Sequence, residues 1–449
     1  AGSDDGPEPG VKDRPPASSE RGASLDGTSC PDPGGMDPVY LFTGEFYESV
    51  VDLYIKGRMI DFVWSRKYRS QRGPNTAIGN GWDFSYNIFL EQDGDFLRLC
   101  DGNSRNDLYH PMSDSTWERN EFFRELNQNQ DDTHTLLFAD KAGWNFHPFD
   151  GSPQQGKISS YVDRNGNQLS FFYDGQGRLN RVNDDLGRDI LIAYNADGFI
   201  ETVTDFAGRT VRYEYYDGVE PGGNFGDLKS VTTPAVVGTP NGNDFPNGKT
   251  TTYTYSTGFA DERLNHNLLT ITDGRRNDPG DPTFGAGPYL INTYAGTTDP
   301  DDMNFDRVVS QIWGGDRIDV TYVPQAPAVD NNLAVIKVIL NDRAGNVKEY
   351  FYDARNRGVI AREYTGRANA TQPTTETDNR PTGKLRPDDP DFFETRYEYN
   401  FESKLNRTIH PNGHIVENVF KIDQDPQADQ RSRANLTFRR LLPGSHAQP

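Results

Sequence analysis

Two histidines stand four residues apart in "HPNGH", His410 and His414, a spacing that lets a helix hold one metal ion between them. Pro411 and Gly413 break a helix, so the segment reads as a turn with two solvent-facing histidines, and no metal ligand is assigned. "DFPNGKTTT" has the flavour of a phosphate loop, but Asn243 stands where the first glycine is required, and nucleotide chemistry is set aside. Neither H-E-x-x-H nor G-x-S-x-G occurs. Asp and Asn crowd the turns without completing a calcium loop. The acidic run "DPDDMNFD", Asp299 to Asp306, is the best cation candidate, and a solvated acidic loop is the reading preferred. With 67 Asp and Glu in the chain, nothing singles out a pair for glycosidic chemistry. Trp117, Trp144 and Trp313 lie near irregular segments, where an indole can stack on a sugar ring. No catalytic, cofactor-binding or metal residue is therefore assigned, and the expectation is a protein that is not an enzyme and needs no cofactor.

Elements that would position such groups come from a repeat. Asp163, Asp184 and Asp205 are 21 residues apart, as are Gly166, Gly187 and Gly208, and Tyr173, Tyr194 and Tyr215. A fixed period of this size marks a repeat architecture, whose units cannot bury an apolar face alone. Inside each unit Leu169, Phe171 and Tyr173 alternate with polar residues, then Ile190, Ile192 and Tyr194, then Val211, Tyr213 and Tyr215. That period of two predicts half-buried strands. "YDGQGR" and "YNADGF" supply the Asp, Asn and Gly of tight turns. Leu179 and Val182, like Ile200 and Val203, are three apart, which breaks the alternation and predicts a bulge. The three tyrosines share strand parity, so they are expected on one face and buried.

The chain divides into residues 1–35, 36–150 and 151–449. The first stretch is rich in Pro, Gly, Ser and Asp and holds too little apolar surface to order itself. Such a tail could add as a strand to an open sheet edge of a neighbouring copy, giving head-to-tail filaments. The second stretch is strand-rich without the period; "STWERNEFFREL" carries a capping-box spacing at Ser115 and Glu118, but extended structure is the reading preferred. From Gly151 the strand–turn grammar continues, interrupted by long Pro- and Gly-rich loops.

A formal net charge of −21 repels phosphate backbones and anionic lipid, so nucleic acid is not an expected partner. No run of about 18 apolar residues exists to span a bilayer. Cys30 and Cys100 are the two cysteines, and whether they pair stays open.

The unit D-x-x-G followed by Tyr-[Asp/Asn], a Gly and a Leu/Ile-x-x-Val run resembles the Rhs/YD repeat. The segments "DPVYLFTGEFYESVVDL", "KGRMIDFVWSRKYRS" and "GNGWDFSYN" resemble the module that opens many Rhs-family proteins. The resemblance implies an all-β fold in which a strand ribbon spirals into a shell. It implies a secreted or cell-surface protein with a structural or adhesive role and with protein partners, itself included, or glycans. The alternatives it leaves are a shell fragment of a polymorphic toxin and a carbohydrate-binding surface protein.

Overall fold

A computed structural model describes residues 38–112, 116–118, 124–242, 244–277, 285–342, 344–368, 376, 380–381, 383–428 and 432–444. The tail at 1–35, including Cys30, lies outside them. Cys100 is a free thiol. The described chain separates into two compact units, one holding Phe46–Leu290 and the other the described residues from Ile291 onward together with residues 38–45.

In the first unit the strands Glu45–Ile55, Phe62–Arg69 and Trp82–Phe84 form a small antiparallel sheet. A second sheet starts at Ile88–Asp93 and runs on, each strand antiparallel to the next in sequence, to Leu268–Thr272. The expected all-β ribbon is what the chain forms. An isolated bridge, Phe89 to Lys157, touches the ribbon back onto itself, with Leu90 N–H donating to Gly156 O at 2.7 Å beside it. Thr116–Glu118 and Glu125–Gln128 are strands, while Ser115 and residues 119–123 of the stretch with the capping-box spacing lie outside the described residues.

Each repeat is held by two devices. The first is the turn. Asp184 Oδ1 accepts the backbone N–H of Leu186 and of Arg188 at 3.0 and 2.9 Å, and Oδ2 accepts from the Arg188 guanidinium at 2.6 Å. Asp205 repeats this with Ala207 and Arg209, and Asp163 uses Asn165 and Asn167. Gly187 sits at φ +75° with open space around it, so the backbone conformation and not crowding demands glycine. Asn356, at φ +59°, takes the same place after Asp353, as Asn tolerates the left-handed region. With its side chain buried, Asp184 leaves two N–H donors and a guanidinium without their acceptor when replaced. Asp184→Ala is therefore expected to lower unfolding free energy by roughly 1–3 kcal/mol, read by chemical denaturation.

The second device joins the bulge to the tyrosine. Phe172 pairs with Arg181 but Tyr173 pairs with Leu179, so Asn180 is the extra residue of a bulge. The bulge turns both Leu179 and Val182 inward, where they are buried, and Ile200 and Val203 follow suit. It also offers a carbonyl. Tyr194 donates its hydroxyl to Leu179 O at 2.8 Å, Tyr173 to Ile158 O at 2.7 Å, and Tyr215 to Ile200 O at 2.8 Å. Each tyrosine thus reaches back to the bulge before it. The rings are half-buried rather than fully enclosed, while burial pushes all three phenol pKa values up.

In the second unit the ribbon runs from Val308–Trp313 through Ala334–Asp342, Asn346–Asp353 and Gly358–Arg367 to Leu436–Leu442. The same devices recur: Tyr322 donates to Val308 O, and Tyr399 to Gly358 O, both at 2.8 Å. Its early strands bury Ala334, Ile339, Phe351 and Ile360. The strands Phe392–Tyr399, Leu405–Ile409 and Ile415–Phe420 are almost entirely half-buried, on both faces. Leu436 and Leu441, on the last strand, are exposed.

Candidate functional site

The densest collection of polar groups in the first unit lies where the small sheet packs against the ribbon. Arg66 is buried on Phe62–Arg69, a strand whose Phe62, Val63, Trp64 and Tyr68 are buried with it. Its Nε donates to Asp52 Oδ2 at 2.8 Å and its Nη2 to the Tyr253 hydroxyl at 2.7 Å. Tyr213 donates to the same Asp52 oxygen at 2.8 Å and accepts from Trp64 Nε1 at 3.0 Å. The guanidinium lies over the Trp82 ring, 4.6 Å from its centre, and Trp82 Nε1 donates to the Tyr255 hydroxyl. Burial opposes the charge on Arg66, but Asp52, with Tyr253 and Tyr213, outweighs it and holds the pKa above its ordinary value. Burial, then Asp52, raises the Tyr213 phenol.

No group in this cluster is a poised nucleophile. Its charges neutralise each other, and each phenol or indole named bonds across the boundary between the two sheets. What the arrangement can do is lock the small sheet to two strands of the ribbon, Thr210–Tyr215 and Thr250–Tyr255. Turns reinforce the lock: Ile200 N–H donates to Ala77 O at 2.7 Å, and Asp185 accepts from the N–H groups of Arg58, Met59 and Ile60.

A second cluster lies nearer the surface. His266, at φ +64°, has Nδ1 2.7 Å from Asp227 Oδ1 and Nε2 2.8 Å from Glu262 Oε1. Asn80 Nδ2 donates to the same Asp227 oxygen at 3.0 Å. Carboxylates at both ring nitrogens require N–H on both, which makes the ring an imidazolium. The Asp227 hydrogen bond leads the causes that raise the His266 pKa above 6.5, burial working against it and Glu262 adding to it. A raised pKa stabilises the fold fully below the unfolded value and loses that contribution as pH rises through the folded one. In denaturation curves, the stability gap between wild type and His266→Gln should therefore be wider at about pH 6 than at about pH 9. An equal gap at both, or a wider one in alkali, would refute the clamp.

A third cluster is acidic. Burial raises Asp83 to about 6, against hydrogen bonds from Asn87 and the Ser104 N–H. Burial likewise raises Asp101, with Arg105 opposing. Among the described residues no three His, Cys, Asp or Glu side chains are grouped to hold a metal.

The residues weighed in the sequence are dispersed. In the acidic loop Asp299 Oδ1 and Asp302 Oδ1 accept from the backbone N–H of Asp301 and Asn304, so these carboxylates fold their own loop. Trp144 is core, with Phe138 against its face, and offers no platform for a sugar; Trp117 leans on His134, and Trp313 is exposed. His410 and His414 do close a turn, His410 N–H donating to His414 O at 2.8 Å.

Residues 36–109 match a domain of unknown function, DUF6531. Arg66, Tyr68 and Trp82 fall inside that match; Tyr213, Tyr253 and His266 lie beyond it. No curated protein matches the chain. Among solved structures, it is similar to TcdB2-TccC3 without the hypervariable C-terminal region, at 11% identity over 85% of this chain and 19% of that one, with a TM-score of 0.25. TcdB2-TccC3 itself matches at 11% identity over 89% and 23%, TM-score 0.20. The Photorhabdus luminescens Tc holotoxin pore matches at 10% over 88% and 21%, also 0.20. The chain spans about a fifth of the length of these solved chains. None of its helices is long and apolar enough to cross a membrane, among the described residues.

Proposed function

We propose that the chain is a non-catalytic wall of the Rhs/YD type, secreted or presented at a cell surface, whose small N-terminal sheet anchors a repeat ribbon. The observation that carries this reading is how the repeats spend their polar side chains. The recurring Asp carboxylates cap their own turns, the recurring tyrosine hydroxyls bond to the preceding bulge, and Arg66 with Asp52 ties the small sheet to Tyr213 and Tyr253. Groups used this way hold a surface in shape and leave the chemistry to whatever the surface encloses or meets.

The test is proteolysis of the native chain beside an activity screen. A wall predicts cuts confined to the Pro- and Gly-rich stretches near 233–249, 273–289 and 367–391, with the described strands between them intact. It also predicts no turnover on panels of glycans, peptides and nucleotides. Turnover abolished by replacing a single carboxylate would establish an enzyme instead.

A further inference from the structure

His410 and His414 close the hairpin between Leu405–Ile409 and Ile415–Phe420, whose register sets Ile409 opposite Ile415 and so places the two histidines opposite each other. Three contacts stiffen the turn: His410 N–H to His414 O at 2.8 Å, Gly413 N–H to His410 O at 2.9 Å, and His414 N–H to Asn412 Oδ1 at 3.1 Å. Opposed residues of an antiparallel pair project to the same side of the sheet. Their rings meet edge to face with centres 5.4 Å apart. With metal–nitrogen bonds of about 2.1 Å, two imidazoles have ring centres roughly 4.5 Å apart in adjacent positions of a square-planar ion and roughly 5 Å apart on a tetrahedral one. The pair is therefore already at chelating separation.

Both rings line a cleft of about 940 Å³ that Phe392, Phe393 and Pro411 also border. His414 Nε2 is buried there with no hydrogen-bond partner. That is the contrast with His266, whose two nitrogens are both taken by carboxylates. A buried ring nitrogen without a partner, beside a second imidazole on a hydrogen-bonded turn, leaves a donor atom of the pair unused, which suits a metal ion.

We propose that His410 and His414 form a two-imidazole binding site for a borderline first-row transition ion, Cu²⁺ before Ni²⁺ or Zn²⁺. Neutral imidazoles select these ions over Mg²⁺ and Ca²⁺, and the order among them follows intrinsic affinity. Glu394 shares the cleft but does not join the site: Arg362 and Arg396 each hold one of its oxygens at 2.7 Å. The remaining positions on the ion go to water, which leaves it open to a donor atom from another molecule.

Titration of the full chain with CuCl₂ at about pH 7.5, followed by calorimetry and electron paramagnetic resonance, tests the site. One ion per chain with two-nitrogen coupling is expected. His410→Ala and His414→Ala should each weaken binding by at least roughly tenfold, while His110→Ala leaves it unchanged. Circular dichroism of each variant checks that the fold persists. An absence of Cu²⁺ binding, or binding that survives the double variant His410→Ala/His414→Ala, would overturn the proposal.

Discussion

Arg66→Ala is expected to remove about 3–5 kcal/mol of unfolding free energy, because it strands a buried carboxylate. Asp52 would keep its bond from Tyr213 but lose its charge partner, and the Tyr253 hydroxyl would lose the guanidinium that donates to it. Arg66→Lys should recover less than half of the loss. A single ammonium cannot serve Asp52 and Tyr253 from two separated nitrogens, nor lie flat over Trp82. The pair Arg66→Met/Asp52→Leu should be less damaging than either single replacement, since taking out both charges leaves none uncompensated. Urea denaturation of the four proteins, read as a double-mutant cycle, checks this. Additive effects would mean that Arg66 and Asp52 are not coupled.

Tyr194→Ala should cost about 3 kcal/mol, the lower end for truncating a large aromatic, since the ring is half-buried. Tyr194→Phe isolates the hydroxyl. It keeps the ring and the stacking of the Arg178 guanidinium, 4.5 Å from the ring centre, but leaves the Leu179 carbonyl without its phenol donor. About 1–2 kcal/mol is expected for that one bond. A neutral Tyr194→Phe would leave the tyrosine as packing and nothing more.

The repeat was legible because its determinants are local and recur. Tyr, Gly and Asp at one period, with strict alternation between them, specify hairpins before any long-range contact forms. Even the bulge showed, since Leu179 and Val182 cannot both face inward without an extra residue. Two features of the same segments did not show. The sequence presented Asp184 as a member of the 21-residue period, but gave no sign that its carboxylate binds two N–H groups and an arginine. Tyr194 read as core, with no hint that its hydroxyl seeks the carbonyl of the earlier bulge.

The junction was beyond reach for a different reason. Tyr213 is 161 residues from Asp52, and Tyr253 is 187 from Arg66. Period and polarity carry no information about partners at that distance. Arg66 stood out as part of a strand pattern, yet charged residues on strands are ordinarily solvated, and only its partners explain its burial. Trp144 misled in the opposite direction: a tryptophan in an irregular stretch looked available for sugars, but its neighbours enclose it.

The small N-terminal sheet and the ribbon share one core through Arg66. Hydrogen exchange of the full chain, wild type against Arg66→Ala, measures this directly by mass spectrometry. Exchange should rise together in Phe62–Arg69, Thr210–Tyr215 and Thr250–Tyr255, the strands carrying Arg66, Tyr213 and Tyr253. Exchange that rises in Phe62–Arg69 alone, with both ribbon strands as protected as in the wild type, would contradict it.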